Sequence, residues 1–294
     1  MHLRSVELQV PDRRAAVDFL KSPWGLLDTE PGTPGNVSYL RGTSAHSYVM
    51  AVCEGARGLM QSVTFAGSLD EVRAVWQRVQ SAGLRHGPWV DAYDEPGQGA
   101  GFMVYGAEDE PFRFVAERQT TAALPAEINR PLALSHVVFN TRDREGVSRV
   151  LIEALGFKLS DRTRIMNFLR CDSAHHAIAY ADSADVSLNH IAFDMASTDA
   201  VMGGMGRMKE AGFPTVWGPG RHGPGNNVFG YFIAPFGACI EYTAEVERVD
   251  DSYPVGTPES WTWPPGRTDH WGIAARDNDK LAASGKAFPF AAAA

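Results

Sequence analysis

Two spacings of apolar residues alternate along the chain, one typical of helices and the other of strands. Ser68 and Glu71 have the spacing of a capping box. The apolar positions after them recur every three or four residues and predict the buried stripe of a helix, formed by Val72, Val75, Trp76 and Val79. A second stripe ends at Gly156, a residue type that commonly closes a helix, and contains Val147, Val150, Leu151 and Leu155. Short apolar runs such as "NVFGYFIA" lie between the helices and predict strands.

The order of these elements occurs twice. The segment "LRSVELQVPDRRAAVDFL" from Leu3 matches "ALSHVVFNTRDREGVSRVL" from Ala133, each predicting a strand, a polar turn and a helix. Further along, "MQSVTFAGSLDEVRAVWQRVQSAG" matches "LNHIAFDMASTDAVMGGMGRMKEAG", and "FRFVAE" matches "IEYTAE". The repeat predicts an α+β protein of two homologous halves, 1–120 and 131–250. A linker at 121–130 joins them, and an irregular tail follows at 251–294.

Composition and charge narrow the classes of partner. The 294 residues carry a net charge of −8, from 27 Lys and Arg against 35 Asp and Glu, without a basic cluster that would bind nucleic acid. The start "MHLRSVELQV" lacks an apolar signal core, and no run approaches the roughly 18 apolar residues of a membrane span. Cys53, Cys171 and Cys239 lie too far apart for a zinc motif or a disulfide framework. We therefore expect a cytoplasmic protein that binds neither nucleic acid nor membranes.

One glutamate interrupts an apolar strand. Glu241 ends the run "YFIAPFGACIE", where an unpaired carboxylate would be costly to bury. The two halves differ together at three aligned positions, with His136, His190 and Glu241 in the second half where the first has Ser5, Ser62 and Arg113. A requirement of the fold would appear in both halves, whereas a single ligand site need not. Two histidines and a carboxylate match the facial triad of non-haem iron(II) enzymes. The alternative is two hydrogen-bonded core histidines with a glutamate paired to an arginine.

A signature around Glu241 resembles a known family. Its members have a Gly-x-His motif, then a tyrosine, a proline turn and a glutamate, and this chain has Gly220, His222, Tyr231, Ala234, Pro235, Gly237 and Glu241 in that order. The chain thus resembles the type I extradiol dioxygenases of the vicinal oxygen chelate superfamily. The resemblance implies four βαβββ modules paired into two bowl-like domains, of which only the second binds metal. Gly230 departs from the signature, where a large apolar residue usually stands, and is expected to reshape the pocket wall.

The resemblance also assigns roles to residues around the triad. His176, the second histidine of the pair His175–His176, would be the acid–base catalyst, and neighbours on a strand face opposite sides, so His175 is expected to face away. His222 and Tyr231 would donate or accept hydrogen bonds at the oxygen-bearing intermediate. Tyr231 and Glu241 are ten residues apart, and side chains separated by an even number of residues on a strand share one face. We therefore expect both to face the metal. Phe168 would form an aromatic wall of the substrate pocket.

The implied activity is extradiol cleavage of a catechol, a small aromatic diol. Fe(II), or Mn(II) in its place, would be the metal and O2 the cosubstrate, and the product would be a muconic semialdehyde. Two alternatives remain open at this point: an isomerase or lyase of the same superfamily with a redox-inert metal, and a non-catalytic protein that binds an aromatic compound. The tail, with Trp261, Trp263 and Trp271, is expected to pack on the second half or on a neighbouring subunit of a homo-oligomer.

Overall fold

The strands form two mixed β-sheets in a computed structural model that describes residues 1–29, 35–125, 127 and 129–292. The first sheet has the order β2-β3-β4-β1-β5-β7-β6. Its strands are β1 (His2–Val10), β2 (Leu27–Asp28), β3 (Val37–Arg41), β4 (Met50–Glu54), β5 (Leu59–Ala66), β6 (Ala100–Tyr105) and β7 (Pro111–Ala116). Two helices belong to this half, α1 (Arg13–Lys21) and α2 (Leu69–Ser81).

The second sheet has the order β13-β14-β15-β12-β8-β11-β10-β9. Its strands are β8 (Ala133–Thr141), β9 (Lys158–Arg162), β10 (Met166–Arg170), β11 (Ile178–Asp182), β12 (Ser187–Asp194), β13 (Trp217–Arg221), β14 (Val228–Ile233) and β15 (Cys239–Ala244). The helices are α3 (Arg144–Val150), which continues as a π-helical turn (Leu151–Leu155), α4 (Thr198–Glu210) and, in the tail, α5 (Asn278–Ser284).

This architecture confirms the predicted α+β fold of paired modules. Three modules have the full βαβββ order, beginning at β1, β8 and β12. In the module that begins at β5, the chain after α2 makes only isolated bridges, at His86 and Val90, in place of the first of the three strands. Within each sheet the two modules meet through an antiparallel pair, β1 with β5 and β8 with β12.

The two helices with the clearest sequence signals form as predicted. Ser68 and Glu71 make both hydrogen bonds of the capping box at the start of α2. The end at Gly156 also forms, with a left-handed φ of 83° that glycine adopts without strain. The π-helical turn before it was not predicted, because periodicity does not distinguish it from an α-helix. No helix within the described ranges is long and apolar enough to cross a membrane.

Strand register supports the alignment of the two halves. Glu7 pairs with Ser62 in the first sheet, as Val138 pairs with His190 in the second. Two neighbouring strands give the same correspondence, since Thr64 pairs with Arg113 and Ala192 pairs with Glu241. The three positions that differ between the halves therefore occupy equivalent places in the two sheets.

In the first half an ion-pair network occupies the place of the metal ligands. Arg113 lies 2.8 Å from Glu95, and Arg4 lies 3.1 Å from Glu95 and 2.9 Å from Glu117. Both arginines donate to the Tyr48 hydroxyl. Because these buried charges are paired and hydrogen-bonded to one another, they need no metal to offset the cost of their burial.

Gly230 lies on the helix side of β14, away from the ligand-bearing face, so the expected effect on the pocket wall is wrong. A Cβ atom at this position would lie 2.7 Å from Sδ of Met205 in α4. The neighbouring Tyr231 points to the opposite face and lines the cavity described below. The side chain of Met205 occupies the space that a side chain at position 230 would need, so a larger residue here would have to displace it.

Gly230→Val is therefore expected to destabilise the fold and leave the ligand site intact. Overpacking of this contact should lower the free energy of unfolding by about 1–3 kcal/mol. Thermal denaturation, with metal content measured on the same samples, checks this. A variant with normal stability but altered metal binding would show that Gly230 acts on the site.

The tail packs on both halves of its own chain. It is irregular up to Asp277 and then contains α5, which the sequence analysis did not predict. The backbone near its end donates a hydrogen bond to Met60 in β5 and accepts one from it. The backbone carbonyl of Phe288 accepts a hydrogen bond from the N–H of Leu188 in β12. Trp261 and Trp263 are half-buried against the loop at Gly223. Since these contacts lie within one chain, the homo-oligomer stays a prediction.

Candidate metal centre and active-site cavity

His136, His190 and Glu241 converge from three adjacent strands in the middle of the second sheet. Ala192 of β12 pairs with His136 of β8 on one side and Glu241 of β15 on the other, and His190 lies two residues from Ala192 on the same face. Oε2 of Glu241 is 3.3 Å from Nε2 of His136 and 3.2 Å from Nε2 of His190. One ligand atom from each residue lies within 4.8 Å of the others, and all three side chains are buried.

The donor atoms fit a metal cation better than they fit one another. Nδ1 of His190 lies 2.8 Å from Oδ1 of Asn189, whose amide nitrogen donates to Asn140. His190 therefore carries its proton on Nδ1 and presents an unprotonated Nε2. Oε2 of Glu241 is buried without a hydrogen-bond partner among the described residues. A bare imidazole nitrogen facing an unpaired carboxylate oxygen is repulsive unless a cation lies between them.

Protonation at the site also favours ligation. Burial by itself would raise the pKa of Glu241, but the adjacent His136 outweighs it and holds that pKa well below its usual range. Burial lowers the pKa of His190, and Glu241 offsets part of that effect. At neutral pH the site therefore presents an ionised carboxylate and a neutral imidazole, the forms that bind a divalent metal.

Tyr231 and His222 lie beside the triad as a hydrogen-bonded pair. The Tyr231 hydroxyl is 3.0 Å from Nε2 of His222 and 3.5 Å from Nε2 of His190. Tyr231 does face the same side as Glu241, but the parity argument behind that expectation was wrong. The two residues lie on antiparallel strands, β14 and β15, directly opposite each other. Burial lowers the pKa of His222 to about 4, so its ring is neutral at pH 7.

His176 lies against the triad, and His175 behind it. The ring centroid of His176 is 4.3 Å from that of His136 and 5.2 Å from that of Phe168. The two histidines precede β11 and do not lie within it, so strand alternation does not separate them. His175 does not simply face away, because its Nδ1 is 3.0 Å from Nδ1 of His176. Burial and the neighbouring histidines lower the pKa of His176 well below its usual value.

A cavity of about 980 Å³ opens over the triad. Its walls include the aromatic side chains of Phe168, Trp217, Tyr231, Trp261 and Trp263. Three arginines, Arg164, Arg267 and Arg276, also line it, and none has a carboxylate within 4.0 Å among the described residues. This volume and lining suit a small aromatic compound held by a few polar groups.

Several lining or supporting residues were missed by the sequence analysis. Trp217 and Arg276 lack a motif, and the tail that supplies Trp261 and Trp263 lacks any periodic pattern. Asn227, which donates to Thr243 and lies 3.5 Å from Glu241, follows the signature histidine in a polar loop. The turn between Tyr231 and Glu241 did have a signal, the proline and glycine of "APFG", which marks the end of one strand and the start of another.

Known proteins match this chain in both sequence and structure. The sequence model of the glyoxalase/bleomycin resistance protein/dioxygenase superfamily matches residues 133–242 of this chain. Metapyrocatechase 2 from Cupriavidus necator is 32% identical over 153 residues, which are 50% of this chain and 45% of that protein. The chain therefore spans about half the length of this relative.

Two solved structures are similar over most of the chain. The Mn(II)-bound glyoxalase from Novosphingobium aromaticivorans is 32% identical, with a TM-score of 0.87 over 95% of this chain and 93% of that one. A variant of homoprotocatechuate 2,3-dioxygenase from Brevibacterium fuscum, in complex with HPCA, has the same fold at 20% identity, with a TM-score of 0.83 over 92% of this chain and 78% of that one. The chain belongs to the glyoxalase/bleomycin resistance protein/dioxygenase superfamily, the vicinal oxygen chelate superfamily that its sequence resembles.

Proposed function

We propose that this protein is an extradiol dioxygenase that cleaves a catecholic ring beside its vicinal diol. The observation that carries the proposal is the convergence of two histidines and a buried, unpaired carboxylate oxygen at an aromatic-lined cavity. Metapyrocatechase 2 supports the reaction class through its similarity to half of the chain. The product would be a muconic semialdehyde.

His136, His190 and Glu241 would hold Fe(II), with Mn(II) as the alternative because both ions accept two nitrogens and a carboxylate. Bound in this triad, the metal would supply the acidity and the electron transfer that join a diol to O2. His136, His190 and Glu241 would all approach the metal from the sheet, so the cavity would be left for substrate. Metal analysis of the purified protein distinguishes iron from manganese.

The residues around the triad would bind, orient and exchange protons. His176, neutral and beside His136, would take the proton of a substrate hydroxyl at Nε2 and return it to the product. Tyr231 and His222, which are hydrogen-bonded to each other, would form hydrogen bonds with the oxygen atoms of the substrate and orient them. Phe168 and the tryptophans would pack on the ring and exclude water.

An isomerase or lyase is the second candidate, because the similar Novosphingobium aromaticivorans structure is described as a glyoxalase that holds Mn(II). That chemistry does not consume O2. The two candidates therefore differ in whether O2 is consumed, which can be measured directly.

A panel of catechols, incubated with metal-loaded protein under air, tests the proposal. At least one catechol is expected to give a yellow ring-opened product, and the same mixture without O2 is expected to give none. Turnover of a substrate at equal rates with and without O2 would support the isomerase or lyase. Binding of an aromatic compound without turnover in either atmosphere would leave a non-catalytic binder.

A further inference from the structure

Three buried side chains form a hydrogen-bonded chain that runs from behind the catalytic cavity to its edge. Oδ2 of Asp161 lies 2.6 Å from Nε2 of His175, and Nδ1 of His175 lies 3.0 Å from Nδ1 of His176. Asp161 and His175 are fully buried, and His176 is 3% exposed. Nε2 of His176, at the cavity end, makes no hydrogen bond to any residue in the described ranges.

The direction of the hydrogen bonds is set at the Asp161 end. Its Oδ1 accepts from the backbone N–H of Gly256 at 2.7 Å, and its Oδ2 accepts from the Tyr253 hydroxyl at 3.2 Å. A carboxylate with these donors only accepts hydrogen bonds. Nε2 of His175 must therefore carry the proton that it shares with Asp161.

That proton determines the next contact. A neutral imidazole has one N–H, so a neutral His175 with its proton on Nε2 presents an unprotonated Nδ1 to His176. The 3.0 Å contact is then a hydrogen bond only if Nδ1 of His176 donates it. His176 is left with an unprotonated Nε2 toward the cavity.

We propose that Asp161 and His175 are positioning residues that hold His176 in the tautomer protonated at Nδ1, so that its Nε2 is free to take a proton at the cavity. The catalytic consequence rests on the proposed function, whereas the tautomer itself does not. Positive charge that develops on His176 as it takes a proton is stabilised through His175 by the Asp161 carboxylate, as in other carboxylate–histidine pairs.

Asp161→Asn reverses the direction of both hydrogen bonds, the one between Asp161 and His175 and the one between His175 and His176, while preserving the shape of the side chain at position 161. The amide oxygen remains opposite the N–H of Gly256, so the amide NH2 group is placed at Nε2 of His175 and donates to it. His175 must then carry its proton on Nδ1 and donate to Nδ1 of His176. The proton of His176 moves to Nε2, which can no longer accept one from a substrate.

Nitrogen-15 NMR of histidine-labelled full-length protein, with zinc as a diamagnetic metal, measures the tautomers directly. In the natural sequence His176 is expected to be protonated at Nδ1 only and His175 at Nε2 only. In Asp161→Asn both assignments are expected to reverse. Protonation of His176 at Nε2 in the natural sequence, or of both nitrogens of His175, would overturn the proposal.

Kinetics of the iron-loaded protein give the second measurement. Asp161→Asn is expected to lower kcat by about 10²-fold or more with metal content and KM unchanged. In the reversed tautomer Nε2 of His176 cannot act as a base, and this affects only proton transfer. Tyr253→Phe removes the other side-chain donor to Asp161 without changing the tautomer, and is expected to keep kcat. Equal kcat in Asp161→Asn and the natural sequence would overturn the catalytic part.

A matched pair at His175 separates hydrogen bonding from packing. Asparagine and leucine have similar shapes, but the amide oxygen of His175→Asn can replace Nδ1 as the acceptor for His176. His175→Asn is expected to retain more kcat than His175→Leu at equal metal content. Equal losses in both would show that His175 acts only through packing.

Failure of the proposed function would be distinct from failure of this proposal. If no catechol is cleaved by the natural sequence, the extradiol assignment fails, and the NMR measurement still decides the tautomer. If catechol is cleaved and His176 carries its proton on Nε2, the extradiol assignment stands and the positioning role fails.

Discussion

Replacing His136, His190 or Glu241 by alanine is expected to remove most of the bound metal, which the natural sequence should hold at one ion per chain. The three donor atoms converge within 4.8 Å, so each substitution leaves only two protein ligands. Loss of the Glu241 carboxylate also removes the negative charge that balances the cation. Metal content per chain, measured after loading and gel filtration, gives the result.

Ser62→Ala is the matched control for this experiment. Ser62 is buried at the place in the first sheet that His190 occupies in the second, and its hydroxyl has no hydrogen-bond partner among the described residues. Metal content should not change. Two ions per chain in the natural sequence, or full retention in the triad variants, would show that the metal is bound elsewhere.

His176→Phe is expected to keep its metal and still bind catechol, but to turn over about 10²-fold more slowly or worse. Phenylalanine fills the space of the imidazole between His136 and Phe168 but has no nitrogen that could exchange a proton. The triad does not include His176, so ligation should be preserved. Steady-state rates and metal content, determined on the same samples, check both parts.

Phe168→Leu serves as its control. It shortens the cavity wall beside His176 and leaves the proton-exchanging nitrogen in place. This variant is expected to raise KM more than it lowers kcat. Near-normal turnover by His176→Phe at full metal content would remove the acid–base role.

The fold and the ligand triad were predictable because their signals are either local or repeated. The capping box at Ser68 lies within four residues of sequence. The triad needed the comparison of the two halves, since a histidine such as His190 on an apolar strand is by itself ambiguous. Its loss together with His136 and Glu241 in the first half supplied the missing information, and the strand registers agree with that alignment.

The hydrogen-bonded chain behind His176 was not predictable, for a physical reason. Asp161 lies on β9 and His175 follows β10, so they meet only when the sheet and the loop before β11 are folded. Apolar periodicity reports which face is buried and carries no information about which polar groups meet there. The sequence analysis assumed that His175 lies within a strand and therefore predicted that its side chain faces away from His176, which it contacts.

Oxygen-18 labelling tests the central claim most directly. The natural sequence is loaded with iron and given, under ¹⁸O2, a catechol that it has been found to cleave. It is expected to release a ring-opened product that contains both labelled atoms. Glu241→Ala under the same conditions is expected to release none. A product formed without label, or formed equally well when O2 is absent, would contradict extradiol cleavage at this site.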